Sequence, residues 1–380
     1  MSTYDPIPIT EPFISDLEVK MAAEAAQFGW GANHYKFNRD FEDLFSKYLG
    51  IKHAVSLPNA TAGLHLACAA FGIGPGDEVI CPDVTWIASV APVIYQGATP
   101  VFVEIDPITW CIDPASVVRA ITPRTKGIIA VDLYGSLCDW KTLRKIAMDY
   151  GIFLIEDAAE ALGGHIAGKK AGTFGDIGVF SFHGTKMITT GEGGMVVTDS
   201  TPLYETILTL RDHGRAPGDT AFYNQRVGYK YKMSALQAGF GIAQIKRIDE
   251  IFAEKIRVFK TYKQLLDQKL GIVLNFDQGD FDPSYWMVTV IPPCTFKIKK
   301  SIFQEEMKTQ GIDTRPFFSR LSYMPAFDGH DIVQVNCRSI VVDHIVDTAI
   351  NLPSGPTLTK TQISYVSQKV NTFISEAIKN

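Results

Sequence analysis

The stretch KGIIAVDLYGSLCDWKTLRKIAMDYGIFLIED, residues 126–157, contains two short apolar runs with an amphipathic segment between them. The runs KGIIAVDLYG (126–135) and IFLIED (152–157) are rich in β-branched residues, which favours buried strands. The intervening DWKTLRKIAMDYG (139–151) has apolar residues at helical spacing. Because parallel strands need a crossover connection, this order of segments predicts a βαβ unit.

The same alternation of apolar and amphipathic segments extends over residues 53–200. Five further strands are predicted there: HAVSLP (53–58), DEVICP (77–82), TPVFVEI (99–105), GVFSF (178–182) and GMVVTD (194–199). Three more helix-like segments lie between the earlier strands: ATAGLHLACAAFG (60–72), WIASVAPVIYQG (86–97) and PASVVRAIT (114–122). The pattern predicts an α/β fold, with a mostly parallel seven-stranded sheet covered by helices.

The pattern changes after residue 246. RIDEIFAEKIRVFKTYKQLLDQKLG (247–271) is apolar at helical spacing and predicts a long helix. Shorter strand and helix signals follow it, and TKTQISYVSQKVNTFISEAIKN (359–380) predicts a closing helix. The sequence therefore predicts a large domain over residues 1–246 and a smaller α+β domain over residues 247–380.

Composition restricts the classes of partner. Among 380 residues, 36 basic and 41 acidic side chains give a net charge of −5, and no basic block is present, which argues against nucleic acid. The six cysteines are scattered without a CxxC pair, so we expect reduced core thiols and no metal site. No signal-peptide pattern and no apolar run of about 18 residues occurs, which predicts a cytoplasmic protein without a membrane partner.

Two residues near the predicted strand ends could carry chemistry. Asp157 closes a strand at the carboxyl edge, where α/β sheets bind ligands, and Glu160 follows it. Asp157 could cap a turn, or it could accept a hydrogen bond from a cationic ring nitrogen. Lys186 lies just after the next strand, among small residues. It could reach solvent, or it could form an imine with a carbonyl group of a cofactor.

A possible anion site and an aromatic residue join Asp157 and Lys186 as candidate functional groups. PNATAGLHL (58–66) brings Asn59 and Thr61 to a helix start, where unpaired N–H groups favour a phosphate, although a plain helix cap is the alternative. TGEGG (190–194) lacks the G-K-[ST] ending of a phosphate loop and reads as a tight turn. Trp86 could pack in the core or stack on a flat ring. A lysine, an aspartate, a phosphate site and an aromatic residue are the parts that pyridoxal phosphate needs.

Several motifs in this order resemble those of the DegT/StrS family of sugar-nucleotide aminotransferases, within fold-type I pyridoxal phosphate enzymes. They are TWIAS (85–89), IEDAAEALGG (155–164), GDIGVFSFHGTKMITTGEGGMVVTD (175–199), RDHGR (211–215), GYKYKMSALQAGFG (228–241), SYWMV (284–288) and NLPS (351–354). The resemblance covers nearly the whole chain. It implies transfer of an amino group from L-glutamate to a nucleotide-linked keto sugar, and it is strongest to members that aminate C4 of GDP-4-keto-6-deoxymannose.

The resemblance also implies roles for single residues. Lys186 matches the lysine that forms the Schiff base, and Asp157 matches the partner of the pyridinium nitrogen. The remaining cofactor positions match Ala60, Thr61, Trp86, Glu160 and Ser181. The expected substrate residues are Trp30, His183 and Arg315, and for His183 ordinary packing is the alternative.

Members of the family are homodimers with shared active sites. In them a residue of the loop equivalent to GYKYKMS (228–234) reaches the partner's cofactor phosphate, and here that residue would be Lys230. The chain departs from the common family pattern at four places. Ala60 replaces a frequent Gly, Lys230 replaces Asn, and Ser322 replaces His. The segment FGWGANHYKF (28–37) replaces a W-I-S type segment. The last two departures bear on the substrate rather than on the cofactor.

Other functions stay open at this point. A UDP- or dTDP-linked 3- or 4-keto sugar could replace the GDP-linked one. A pyridoxal phosphate sugar dehydratase would carry His in place of Lys186, and a regulatory protein that kept the fold would not need both Lys186 and Asp157. A nicotinamide-dependent dehydrogenase would show G-x-G-x-x-G after the first strand, which is absent.

Overall fold

The structure is a computed structural model that describes residues 6–277, 279–335 and 338–379. Its helices are α1 (Asp16–Phe28), α2 (Lys36–Leu49), α3 (Ala60–Ala70), α4 (Ala91–Tyr95), α5 (Pro114–Ala120), α6 (Trp140–Tyr150), α7 (Thr201–Arg211), α8 (Ala235–Lys246), α9 (Ile248–Leu265), α10 (Lys300–Thr309), α11 (Ile340–Thr348) and α12 (Lys360–Lys379). Its strands are β1 (His53–Leu57), β2 (Glu78–Pro82), β3 (Thr99–Val103), β4 (Thr125–Val131), β5 (Phe153–Asp157), β6 (His165–Ile166), β7 (Lys169–Lys170), β8 (Ile177–Ser181), β9 (Gly194–Thr198), β10 (Phe281–Asp282), β11 (Val288–Val290), β12 (Arg315–Pro316), β13 (Val333–Gln334) and β14 (Ile350–Leu352).

The large sheet has the order β1-β9-β8-β5-β4-β2-β3-β13. It contains the seven strands predicted from the sequence, and a two-residue strand, β13, adds an eighth at the β3 edge. Only β9 runs antiparallel to its neighbours, β1 and β8, within this sheet as described. The prediction of a mostly parallel, helix-covered sheet is confirmed.

The stretch 126–157 folds as the predicted βαβ unit of β4, α6 and β5. Asp139 caps the helix by accepting a hydrogen bond from the Thr142 N–H, and Gly151, with φ at 64°, ends it in the left-handed conformation. The parallel pairing of β4 with β5 sets Val131 beside Asp157 at the carboxyl edge. Local capping signals therefore determine where the crossover ends and where Asp157 lies.

The C-terminal third of the chain has two kinds of packing. Strands β11, β14 and β12 form a small antiparallel sheet, which packs in a core with α9, α10 and α12. In contrast, Leu321, Phe327 and Val342 are buried in the core of the large sheet. The domain boundary at residues 246 and 247 stays a prediction, and part of the C-terminal region closes over the large sheet.

One lysine is buried between α9 and the chain segments around Trp286 and Ser354. Lys255, on α9, has 3% of its surface exposed, and its Nζ donates hydrogen bonds to the carbonyl oxygens of Trp286 and Ser354. Burial lowers the pKa of Lys255 to about 7, from an ordinary value of 10.5. Between these pH values the unfolded chain binds the proton and the folded chain releases it, so the lysine makes stability rise with pH.

We expect the Lys255→Met variant to lose this pH dependence. The wild type should gain up to a few kcal/mol of stability from this group between pH 7 and pH 9, because each pKa unit corresponds to about 1.4 kcal/mol. Urea unfolding of both proteins at pH 7 and pH 9 measures the difference. A wild-type slope equal to the variant's slope would contradict the prediction.

Two sequence expectations concern the cysteines and the membrane. Cys68, Cys81, Cys111 and Cys138 are buried free thiols, as predicted. The prediction is wrong for Cys294, which is exposed in a turn directly after Pro293, and Cys337 lies outside the described residues. Within the described ranges, the helices lack the combination of length and apolar character that spanning a bilayer requires.

Candidate active site

A cavity of about 570 Å³ opens at the carboxyl ends of β4, β5 and β8. It is the place where parallel α/β sheets bind ligands. Ten residues singled out in the sequence line it: Asn59, Ala60, Thr61, Trp86, Asp157, Glu160, Ser181, His183, Lys186 and Arg315. Residues from the N-terminal, central and C-terminal parts of the chain therefore meet at one site.

Asp157 is a buried carboxyl group on the cavity wall. The Ser89 hydroxyl donates to its Oδ2 at 2.7 Å, and the Ala159 N–H donates to its Oδ1 at 3.1 Å. Burial raises the pKa of Asp157, while these two hydrogen bonds oppose the rise. No regular helix starts at Asp157 in the described chain, so the carboxylate braces a turn and also faces the cavity. Ser89, three residues after Trp86, was not singled out from the sequence.

Lys186 follows β8 and points into the cavity. Its side chain is only 13% exposed, so the alternative of a solvent-reaching lysine is wrong. The Nζ atom lies 3.3 Å from Glu160 Oε1 and 3.6 Å from the centre of the Trp286 ring. Burial raises the pKa of Glu160, and the charge of Lys186 opposes that rise. The site thus pairs a buried amine with a buried carboxylate.

The start of α3 lines one side of the cavity. Asn59 caps this helix, since its Oδ1 accepts a hydrogen bond from the Ala62 N–H at 2.8 Å. The first N–H groups of the helix have no partner within it, and together with the helix dipole they favour a negative charge. Ala60 and Thr61 lie there, and Ser181 joins the cavity from β8. The helix cap is therefore present, and the anion site stays a prediction.

Aromatic rings line the rest of the cavity. Tyr134 stacks between Trp286 and Phe318, with interplanar angles of 11° and 12°. Its backbone is left-handed, with φ at 52°, and its hydroxyl accepts a hydrogen bond from the Phe318 N–H at 2.9 Å. Trp86 is 57% exposed, with its ring 6.0 Å from that of Phe318, so core packing is not its role.

The remaining predicted residues differ in position. His183 lies near the cavity mouth, with Nδ1 3.1 Å from the Thr185 hydroxyl. Arg315 is an exposed residue of β12 at the cavity edge. Lys230 and Trp30 do not line this cavity within the described chain: Lys230 lines a separate basic pocket on the loop after α7, and Trp30 is 65% exposed after α1.

A buried cluster away from this cavity contains possible metal ligands. Single side-chain atoms of Cys111, Asp132 and Cys138 lie within 4.8 Å of one another. However, Asp132 Oδ1 accepts hydrogen bonds from the Cys138 N–H and from Trp140 Nε1, and the Cys138 thiol donates to the Val131 carbonyl. Burial raises the pKa of Cys138, which keeps the thiol protonated, whereas a metal ligand must be a thiolate. We interpret the cluster as core hydrogen bonding, and the absence of a metal stays a prediction.

Comparison with known proteins identifies the family. Residues 12–371 match the model of the DegT/DnrJ/EryC1/StrS aminotransferase family. The chain belongs to this family. A GDP-perosamine synthase of Vibrio cholerae is 35% identical over 97% of this chain and 99% of its own, and one of Caulobacter vibrioides is 39% identical over 86% and 88%. The crystal structure of DesI in the presence of its TDP-sugar product has a TM-score of 0.90 at 29% identity, covering 100% of this chain and 96% of the other.

This aminotransferase is a pyridoxal phosphate-dependent transaminase, as the family resemblance implied. The cavity fits the cofactor. Gly194 of β9 lies against the start of α3, where a Cβ atom would come within 2.5 Å of the Asn59 carbonyl carbon and 2.7 Å of the Ala60 nitrogen. The absence of a side chain there lets the helix start approach the sheet. The start of α3, the Asp157 carboxylate and the Lys186 amine thus face one space.

We expect Gly194→Ala to weaken cofactor binding in this aminotransferase. The added methyl group must push away the start of α3, and overpacking of this kind costs about 1–3 kcal/mol. That corresponds to a rise of about fivefold to 150-fold in the dissociation constant, if the distortion falls on the phosphate side. Titration with pyridoxal phosphate, followed by absorbance, measures it.

Gly74→Ala is the matched control for this substitution. An added Cβ at Gly74 would find its nearest atom, the Gln96 oxygen, at 4.0 Å, and the backbone there is not left-handed. We expect cofactor affinity in this variant to equal that of the wild type. If Gly194→Ala also binds the cofactor like the wild type, the close approach has no functional consequence.

Proposed function

We propose that this transaminase moves the amino group of L-glutamate to C4 of a GDP-linked 4-keto-6-deoxyhexose, as a GDP-perosamine synthase does, and so serves surface polysaccharide synthesis. The observation that carries the proposal is the buried pair of Lys186 and Glu160 beside Asp157 in one cavity. Similarity to GDP-perosamine synthases over nearly the whole chain supports the choice of sugar.

The residues divide the work of binding. Asp157 would hold the ring nitrogen of the cofactor in its protonated form, through a charge-assisted hydrogen bond of about 1.5–3 kcal/mol. Ala60, Thr61 and Ser181 would hold the phosphate, and Trp86 would stack on the ring. When bound, the cofactor supplies an electron sink for the electron pair left at the α-carbon of the amino acid.

Lys186 would provide the acid–base chemistry. Its Nζ would hold the cofactor covalently and would be released when glutamate binds. The free Lys186 amine would take the proton from the α-carbon of glutamate and would later donate a proton, which are the acid–base steps that amino-group transfer requires. Glu160 and Trp286 hold the amine beside the place where this proton moves.

A second subunit would complete the site. Lys230 lies in a pocket of about 430 Å³ with Arg215 and Lys232, on a loop with exposed aromatic residues Phe222 and Tyr223. An ammonium group there suits a phosphate, and it would reach the cofactor of the partner in a homodimer. Trp30, His183 and Arg315 would contact the sugar nucleotide.

The experiment is an assay with purified protein, pyridoxal phosphate, L-glutamate and 4-keto sugars linked to GDP, UDP or dTDP. We expect glutamate-dependent exchange of the keto oxygen for an amine, fastest with the GDP-linked sugar and detected by mass spectrometry. Faster reaction of the UDP- or dTDP-linked sugar would overturn the choice of nucleotide. Loss of water without amination would indicate a dehydratase, and no glutamate-dependent change with any sugar would overturn the function.

A further inference from the structure

The position of the Lys186 amine is defined by two groups. Its Nζ lies 3.6 Å from the centre of the Trp286 ring and 3.3 Å from Glu160 Oε1. An indole face is the strongest aromatic partner of a cation, and the attraction grows when both partners are out of water. Trp286 is 6% exposed and the Lys186 side chain 13%, so this contact is largely dehydrated.

Two contacts fix the indole ring, and a third holds the backbone of Trp286. Its Nε1 donates a hydrogen bond to the Thr185 carbonyl at 2.7 Å, directly before Lys186 in the chain. The Trp286 carbonyl accepts a hydrogen bond from Lys255 Nζ at 2.6 Å, and the Tyr134 ring lies parallel to the indole at a centroid distance of 5.9 Å. These contacts hold the Trp286 ring against the backbone at Thr185, directly before Lys186.

A fixed ring can restrict the position of the Lys186 amine, which otherwise ends a flexible four-carbon side chain. Holding such a chain in one position loses rotamer freedom, which the attraction to a charged partner can offset. In the proposed function, Lys186 leaves the cofactor and must then stay close enough to move a proton. A rigid π face and a carboxylate together supply one preferred position for the released ammonium.

We propose that Trp286, together with Glu160, forms the resting site of the released Lys186 ammonium, which makes Trp286 a positioning residue for amine transfer. The inference rests on the proposed function, since it requires that Lys186 be released during turnover. Sequence reasoning noted the SYWMV motif (284–288) but gave Trp286 no role.

The test measures Lys186 directly in full-length protein loaded with pyridoxamine 5′-phosphate. This form of the cofactor carries the amine itself, so Lys186 is free to react. An amine-acylating reagent is applied at one pH, and peptide mass spectrometry gives the rate of acylation of Lys186. Lys170 serves as an internal reference, because its Nζ lies 3.6 Å from the centre of the Tyr48 ring, outside the cavity.

We expect Lys186 acylation to become about tenfold faster in Trp286→Leu, because loss of the dehydrated cation–π contact leaves the amine less restrained and more accessible to the reagent. Trp286→Phe keeps a weaker aromatic face, so its rate should rise about threefold and lie between those of the wild type and the leucine variant. Lys170 acylation should not change in either variant.

Equal Lys186 rates in the wild type and Trp286→Leu, with Lys170 unchanged, would overturn the proposal. If the leucine variant fails to fold, Trp286→Phe decides alone, and a wild-type rate in it would overturn the proposal. The failure of the proposed function is a different result: it would appear as absent glutamate-dependent amination in the wild type, whatever the acylation rates.

Discussion

Lys186→Ala should lose turnover by at least about 10³-fold, because it removes the proposed covalent attachment and the proposed acid–base group, and the second effect alone is worth about 10²–10⁴-fold. The variant should still bind pyridoxamine 5′-phosphate, since the residues placed around the ring and the phosphate are unchanged. Single-turnover amination and a cofactor titration measure the two properties separately.

Lys170→Ala is the matched control for this experiment. Lys170 also lies over an aromatic ring, and it donates a hydrogen bond to the Tyr48 carbonyl, but it does not line the cavity. Its removal should leave turnover unchanged. Turnover in Lys186→Ala that stays within tenfold of the wild type would refute the role of the lysine.

Of the substitutions considered, Arg320→Met should cause the largest decrease in the free energy of unfolding. Arg320 is 5% exposed and contacts three carboxylates: Nη1 lies 3.1 Å from Asp83 Oδ2, Nη2 lies 2.9 Å from Glu104 Oε2, and Nε lies 2.9 Å from Asp343 Oδ1. Burial opposes the charge of Arg320, but hydrogen bonds and charges of Glu104 and Asp83 outweigh it and raise the pKa of the guanidinium. Without it, buried Asp83 and Glu104 stay uncompensated, which costs about 3–5 kcal/mol.

Arg338→Met separates this effect from ordinary loss of a charge. Arg338 pairs with the same Asp343 at 2.7 Å, but its side chain is 54% exposed, and water screens such a pair. Urea unfolding should show a large shift of the midpoint for Arg320→Met and a much smaller one for Arg338→Met. Similar shifts in the two variants would show that burial of the arginine is not the cause.

Some of the site followed from the sequence because its signals are local. Asp157 ends β5 and Lys186 follows β8, two strands with a clear apolar pattern, and parallel pairing brings the ends of such strands together. Asn59 caps α3 as its position in the sequence indicates. For these residues the order of strands was enough to predict a common edge.

Other parts of the site depend on contacts between distant segments, which no local pattern reports. Trp286 meets Lys186 across 100 residues, and Ser89 reaches Asp157 across 68. No sequence pattern around Cys294 indicates that this residue is exposed. Lys230 is predicted to reach the cofactor of a second subunit, so the fold of a single chain does not test its role. Trp30, predicted to contact the substrate, does not line the cavity of its own chain within the described residues.

The contacts of Arg320 also bear on when, during synthesis of the chain, the cofactor can be bound. Asp83 and Glu104 precede Arg320 by 237 and 216 residues, and the Arg320 segment adjoins Phe318 and Ser319 of the cavity. A nascent chain therefore carries Lys186 and Asp157 well before the residues that close the cavity leave the ribosome. We expect that a chain stalled before residue 320 fails to retain the cofactor, so that acquisition of the vitamin B6 group follows release of nearly the whole polypeptide.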